Sequence, residues 1–143
     1  LATDRHRGFI FDATKGIRIV PPLGIQNEAF DINNHSDVVG WTDLEPSYSW
    51  RHGFLFNESE GGQVTDLYSL SGFAGDSTAY AINDNRQVVG QSIGTASDTL
   101  HAFRYEFGSM MDLYTLSGGM VSLANGINDF GHTVDAVHVD TGL

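Results

Sequence analysis

Two histidines recur at matching places along this chain, and imidazoles are the side chains best suited to acid–base or metal chemistry near neutral pH. His52 and His101 occupy one repeat position, where the first repeat has Arg7. Metal sites need several ligands on one centre, and these histidines belong to separate repeats. We therefore expect a structural role, in which each imidazole ties the start of a strand to a neighbouring turn.

Two aspartates recur in the same way. Asp66 and Asp112 could form a carboxylate pair for acid–base catalysis of glycan cleavage. Because they occupy equivalent positions in different repeats, we expect instead that each one caps the turn that follows it through backbone amides. The sequence assigns no catalytic residue.

A cluster of aromatic and acidic residues flanks the longest linker between repeats. Aromatic rings stack on the apolar faces of sugars, and carboxylates accept hydrogen bonds from sugar hydroxyls. The alternative is that Trp41 packs inside the fold and that the other rings cover its edge. The candidate ligand-binding residues are Trp41, Asp43, Glu45, Tyr48 and Trp50.

Turns rich in Asn and Asp offer the oxygen ligands that calcium prefers. The candidates are Asp31, Asn33 and Asp37 in one turn and residues 83–85 in another. Neither turn fits the twelve-residue calcium loop, since its glycine and terminal glutamate are missing. We expect simple polar turns, so calcium is the one cofactor considered and no metal ligand is assigned.

A repeat of 45 to 50 residues organises these positions, and it occurs three times. Ile32, Ile82 and Ile127 are equivalent, and Phe9, Phe54 and Phe103 keep step with them. The whole chain, residues 1–143, is interpreted as a single repeat domain with approximate units 5–41, 51–92 and 100–140. Each unit contains four short extended segments with alternating apolar residues, and none has a sustained helical period.

Four strands in each unit predict an all-β fold of three four-stranded antiparallel β-propeller-like blades. Closed propellers typically have four to eight blades, so we expect self-association, in which two chains would complete a six-bladed ring by dimerisation. An open stack or a piece of a longer propeller is the alternative. The predicted core consists of Phe9, Phe11, Phe54, Phe56, Phe103, Tyr105, Ile32, Ile82, Ile127, Val39, Val89, Val134, Leu67 and Leu113.

Composition narrows the classes of partner. The net charge is −11, with seven Lys and Arg residues, which disfavours nucleic acid because phosphate backbones would be repelled. The chain has no cysteine, so disulfides and thiolate-bound zinc are excluded. No apolar run approaches the roughly 18 residues of a membrane span. The chain shows no signal peptide, although a leader could have been removed.

The repeat motifs resemble the HAF repeat of predicted exported bacterial proteins. The resemblance rests on residues 101–103, then 111–113, then 124–129, and on their counterparts in the second repeat. Tyr68 and Tyr114 stand where that family has glycine, and Asp135 departs from its Val-Val-Gly ending. The resemblance implies an extracellular or cell-surface repeat protein with a propeller-like fold and no assigned catalysis.

These observations favour a non-enzymatic binding or scaffolding module for a glycan or protein ligand. One alternative is a glycan-acting hydrolase or lyase with acidic residues at a propeller channel. Another is a calcium-stabilised surface protein.

Overall fold

A computed structural model describes residues 5–44, 50–94, 99–114 and 119–139, and this part of the chain is an all-β fold with antiparallel pairing throughout. A single 3-10 turn, Glu58–Glu60, interrupts the strands. Within these residues no helix is long and apolar enough to cross a bilayer. The prediction of almost no helix is confirmed for the described residues.

The described strands form four sheets in chain order. Sheet 1 contains β1 (Phe9–Asp12) and β2 (Gly16–Ile19). Sheet 2 contains β3 (Asn27–Ile32), β4 (Asp37–Asp43), β5 (Arg51–Asn57) and β6 (Gln63–Asp66). Sheet 3 contains β7 (Ser77–Ile82), β8 (Val88–Ile93), β9 (Leu100–Glu106) and β10 (Ser109–Asp112). Sheet 4 contains β11 (Gly119–Ile127) and β12 (Thr133–Val139).

This arrangement differs from the predicted three four-stranded blades. Each four-stranded sheet takes its first hairpin from the end of one sequence unit and its second hairpin from the start of the next. The described residues therefore form two four-stranded sheets, with a two-stranded sheet on either side of them in chain order, and they do not close into a ring. The physical reason is that β5 pairs with β4 across the 44–50 linker, a neighbour relation that periodicity does not encode.

Apolar side chains pack between successive sheets and form three clusters. Phe54 joins sheet 2 to Ile10 of sheet 1, and Val39 joins sheet 2 to Ile82 of sheet 3. Ala124 of sheet 4 packs on sheet 3. Because sheet 2 is covered on both faces, both alternating sets of side chains along β5 are buried, from His52 to Asn57.

The first strands of the β3–β4, β7–β8 and β11–β12 hairpins carry a bulge at the same place. Pairing shifts by one residue after Ala29, Ala79 and Ala124, so the residue that follows each alanine is unpaired in the register. A bulge leaves one residue without a cross-strand partner and increases local twist. It also explains why the repeated alanine and isoleucine are spaced by three residues rather than by an even number.

The predicted core is confirmed in the middle of the chain. Buried members are Phe54, Phe56, Phe103, Ile82, Val39, Val89 and Leu67, whereas Tyr105, Ile127 and Leu113 are partly buried. Four members are exposed, which corrects the prediction: Phe9, Phe11, Ile32 and Val134. Phe9 and Phe11 lie in sheet 1, Ile32 lies in sheet 2 on β3, and Val134 lies in sheet 4. No described element covers these side chains.

Candidate functional site at the loop rim

The recurring histidines and aspartates form pairs in the folded chain. His52 lies near the start of β5 and Asp66 ends the neighbouring strand β6, so antiparallel pairing brings them together. Nδ1 of His52 lies 2.7 Å from a carboxylate oxygen of Asp66, and the His101–Asp112 pair has the same geometry at 2.9 Å. The spacing of the histidines and the aspartates along the chain does not reveal this pairing, although both residue types follow the same repeat.

His52 is completely buried, and both of its ring nitrogens are engaged. Nε2 lies 3.1 Å from the backbone oxygen of Phe73. Both ring nitrogens of His52 therefore lie within hydrogen-bond distance of an oxygen of the protein. The imidazole thus ties the start of β5 to the loop after β6, as predicted, and presents no free nitrogen to a metal or a substrate.

The second pair is more open. His101 has about one sixth of its side chain exposed (17%), and its Nε2 lies 3.3 Å from the hydroxyl of Thr99. The first repeat has no such pair, because Arg7 replaces the histidine and Ile19 stands opposite Phe9 where the aspartate would be. The motif is therefore specific to the second and third repeats.

Each aspartate also holds the loop that follows it. The backbone amides of Tyr68 and Tyr114 donate to Asp66 and Asp112, each at 2.7 Å, which confirms the predicted caps. Both tyrosines adopt the left-handed backbone region, with φ values of 62° and 61°. This conformation is strained for a bulky residue, and such strain persists only where surrounding contacts impose it.

The strained tyrosines are exposed, at 51% for Tyr68 and 69% for Tyr114. Tyr68 and Phe73 flank the buried imidazole of His52, with ring centroids at 6.0 and 5.8 Å. We call the edge of the sheets that carries the described segments 67–76 and 113–114 the loop rim. The rim thus displays aromatic side chains on a frame that His–Asp pairs hold in place.

A cleft of about 510 Å³ belongs to the same rim. Its walls include Trp50, Gly75, Asp76 and Ile93. Trp50 is 38% exposed, and one carboxylate oxygen of Asp76 accepts the backbone amide of Arg51 at 2.8 Å. Among the candidate ligand-binding residues from the sequence, Trp50 is the described one that lines an open surface.

The other candidates lie elsewhere or outside the described part. Trp41 is buried, donates from Nε1 to Glu28 at 3.0 Å, and lies 4.2 Å beneath the guanidinium of Arg51. The buried carboxylate of Asp43 accepts backbone amides of Ile25 and Gln26. Both side chains are therefore part of the frame. Glu45 and Tyr48 lie outside the described residues.

The Asn-rich turns lie at the opposite ends of the strands from the loop rim, and they form a ladder between sheets. Asn33 donates through its side-chain amide to the backbone oxygen of Asn83 at 3.1 Å, and Asn83 donates in the same way to Asn128 at 2.9 Å. Each asparagine oxygen also accepts two amides of its own turn. The residues proposed as calcium ligands thus connect one repeat to the next.

The carboxylates of these Asn-rich turns already accept hydrogen bonds from other residues of the protein. Asp37 is fully buried and accepts from Asn57 and from Arg86 at 2.7 Å. Asp84 accepts the side-chain and backbone N–H groups of Asn34, which lower the pKa of Asp84 below its ordinary value. Across residues 5–44, 50–94, 99–114 and 119–139, no group of three or more His, Asp or Glu side chains could hold a metal ion.

We expect calcium to leave the melting temperature of the chain unchanged. A cation at these turns would have to displace the donors of Asn34 and Arg86, and only binding to the folded state raises stability. Differential scanning calorimetry in millimolar calcium and in chelator measures this. A calcium-dependent rise, lost on Asp84→Asn but kept in Asp12→Asn, would instead establish a site at the turn.

The described fold places this chain among antiparallel all-β repeat proteins. No protein-family model, no curated protein and no solved structure matches it.

Proposed function

We propose that this chain is a non-enzymatic repeat module that binds glycan along its loop rim. The frame is propeller-like, and two chains complete a six-bladed ring by dimerisation. The location is extracellular or on the cell surface, as the resemblance to the HAF repeat implies. The observation that carries the proposal is the pair of exposed, strained tyrosines, Tyr68 and Tyr114, which recur on equivalent loops.

Strain at a repeated exposed residue is the feature that a purely structural role does not explain. A glycine would adopt φ near 60° without steric cost, whereas tyrosine there costs about 1–2 kcal/mol. Asp66 and Asp112 fix the backbone of each loop, so the rings are held outward at two equivalent positions. Aromatic surfaces repeated in this way suit a ligand that is itself repetitive, such as a polysaccharide.

The neighbouring cleft supplies the other elements of a sugar site. Trp50 offers a flat apolar face, and Asp76 offers a carboxylate within the same walls. The segment 71–76 contributes both to this cleft and, through Phe73, to the rings beside Tyr68. A chain of sugar units could therefore contact Trp50, Phe73 and Tyr68 in succession.

The same contacts argue against glycan cleavage at the His52–Asp66 pair. A general base must reach the proton that it abstracts, and His52 is buried with both nitrogens occupied. The carboxylate of Asp66 contacts the imidazole of His52 and accepts a hydrogen bond from the backbone amide of Tyr68, so it already stabilises the loop. This arrangement favours binding over hydrolysis or elimination.

Replacing Tyr68 with glycine should separate ligand binding from stability. The variant relieves the backbone strain, so we expect unchanged or higher stability. It also removes an aromatic contact of about 0.5–1.5 kcal/mol, which corresponds to a roughly 2- to 12-fold loss of affinity. A panel of polysaccharides is first screened by affinity electrophoresis. The affinity for the best binder is then measured by calorimetry.

Phe107→Gly is the matched control. Phe107 is also exposed with φ of 51°, but it lies in the β9–β10 turn at the other end of the strands. Glycine there relieves similar strain and should leave affinity unchanged. Equal losses in the two variants, or no binding by the parent chain to any polysaccharide, would contradict the proposed site.

A further inference from the structure

We propose that β12, the last described strand of one chain, pairs with β1, the first described strand of a second copy, so that the two half-sheets become one four-stranded sheet. This inference specifies how the dimer of the proposed function assembles and rests on that part of it. The two half-sheets are complementary in kind. Sheet 4 is the counterpart of the β3–β4 and β7–β8 hairpins, and sheet 1 is the counterpart of the β5–β6 and β9–β10 hairpins.

The intact sheets determine the register of the new pair. Val38 pairs with Phe56 in sheet 2, and Val88 pairs with Tyr105 in sheet 3. Thr133 is the counterpart of both valines, because it pairs with Ile127 as they pair with Ile32 and Ile82. Phe11 is the counterpart of Phe56 and Tyr105. The strands should therefore align Thr133 with Phe11, Val134 with Ile10 and Asp135 with Phe9.

Burial distinguishes these end positions from their internal counterparts. Phe54 and Phe103 are completely buried, whereas the equivalent Phe9 is 58% exposed. Val39 and Val89 are completely buried, whereas the equivalent Val134 is 67% exposed. At these two repeat positions the Phe and Val side chains are thus exposed only in sheets 1 and 4, the first and last described sheets. A second copy docked end to end would restore that cover on both faces.

An open cleft lies where the second copy would insert. Its volume is about 220 Å³, and it lies between β1 and β3, with Phe9, Phe11, Phe30 and Ile32 among its lining residues. Within the chain, Val39 of β4 packs in one cluster with Ala79 and Ile82 of β7. By the same relation, Val134 of the second copy would pack on Ala29 and Ile32 at this cleft.

Charge and hydrogen bonding favour the same direction of docking. Four of the seven Lys and Arg residues lie within the first 18 positions, whereas residues 119–139 contain two aspartates and no Lys or Arg. In the proposed register Asp135 lies opposite Phe9 and diagonal to Arg7, which is within reach of a long side chain. The asparagine ladder would also continue, with Asn128 donating to the backbone oxygen of Asn33 in the second copy.

Engineered cysteines test the register, because the native chain has none. In the proposed register Phe11→Cys and Thr133→Cys lie directly opposite each other, and in the single chain Phe11 is exposed and Thr133 is half-buried. Paired residues in antiparallel strands lie within disulfide distance. Mixing the two single variants under mild oxidation should give one disulfide-linked dimer. The chain carrying both cysteines should stop at a two-chain product if the ring closes, and it should form a ladder if it stays open.

The matched control shifts the register by one residue. Phe11→Cys mixed with Val134→Cys places the thiols on opposite faces, so it should give little dimer. Light scattering behind a sizing column measures the mass of the parent chain in solution. Phe9→Asp should convert a dimer to a monomer. The fold should persist in this variant, because Phe9 is exposed in the single chain.

Each outcome decides a separate point. A dimer that crosslinks equally in both mixtures would overturn the register while leaving self-association intact. A monomer of 15.5 kDa with native circular dichroism would overturn docking of a second copy and leave the edge to another segment or protein. Polysaccharide binding lost on Tyr68→Gly is independent of both results, so failure of the rim site and failure of the assembly are distinguishable.

Discussion

Replacing Gly90 with alanine should unfold most of the chain at room temperature or cost more than about 3 kcal/mol of unfolding free energy. A Cβ atom at this position would lie 1.9 Å from the backbone oxygen of Thr78 and 2.9 Å from the ring of Phe103. Neither neighbour can move easily, because Thr78 lies in the paired strand and Phe103 is completely buried. Urea denaturation followed by circular dichroism measures the loss.

Gly40→Ala should have a similar effect, since its Cβ would lie 1.8 Å from the backbone oxygen of Glu28. Gly72→Ala is the control. A Cβ atom at this position has no neighbouring atom within 4 Å, so only the backbone strain at φ of 88° remains, which costs about 1–2 kcal/mol. The third repeat carries Asp135 at the equivalent place. There the carboxylate of Asp135 accepts the backbone amide of Leu123 at 3.1 Å. Equal stability of Gly90→Ala and Gly72→Ala would contradict the close approach.

Replacing His52 with alanine should lower the free energy of unfolding by about 3–5 kcal/mol. The change leaves a cavity where a completely buried ring was, and it removes the imidazole contacts with Asp66 and with the backbone oxygen of Phe73. The loop between β6 and β7 would lose its anchor to β5. Chemical denaturation measures the free energy, and protease cleavage within segment 67–76 reports the loosening of the loop.

His101→Ala provides the graded comparison. This imidazole is partly exposed and makes a longer contact with its aspartate, so its removal should cost clearly less than that of His52. His52→Gln and Asp66→Asn test the pair itself, because each keeps the approximate side-chain size while changing charge and donors. Equal costs for the two alanine variants would show that burial of His52 contributes little.

The sequence was sufficient to predict the local structure. Alternation around Phe54 and Phe56 predicts a strand, and β5 runs from Arg51 to Asn57. Asn83 and its neighbours predict a hairpin turn, and the turn between β7 and β8 lies there. The caps formed by Asp66 and Asp112 follow from the same short-range chemistry. These features depend on residues within a few positions of each other, so the sequence carries them directly.

The candidate site was only partly predictable. Spacing marked the histidines and aspartates as repeated, but the register between β5 and β6 decided that His52 meets Asp66. Trp41 has an aromatic ring that could stack on a sugar, but in the fold it contacts Arg51 and Glu28 instead. One feature of the sequence indicates the backbone strain at Tyr68 and Tyr114: both tyrosines stand where the HAF repeat has glycine.

Alternation and turn propensity are local properties of the chain, so its all-β character, its threefold repeat and its turn chemistry can be predicted from the residues alone. Which hairpins share a sheet, and which repeated apolar residues are covered, depends on the packing of distant segments. Phe9 and Phe54 have the same repeat position but opposite burial. Their difference depends on whether another sheet lies against them, and that is a relation between distant segments that periodicity cannot express.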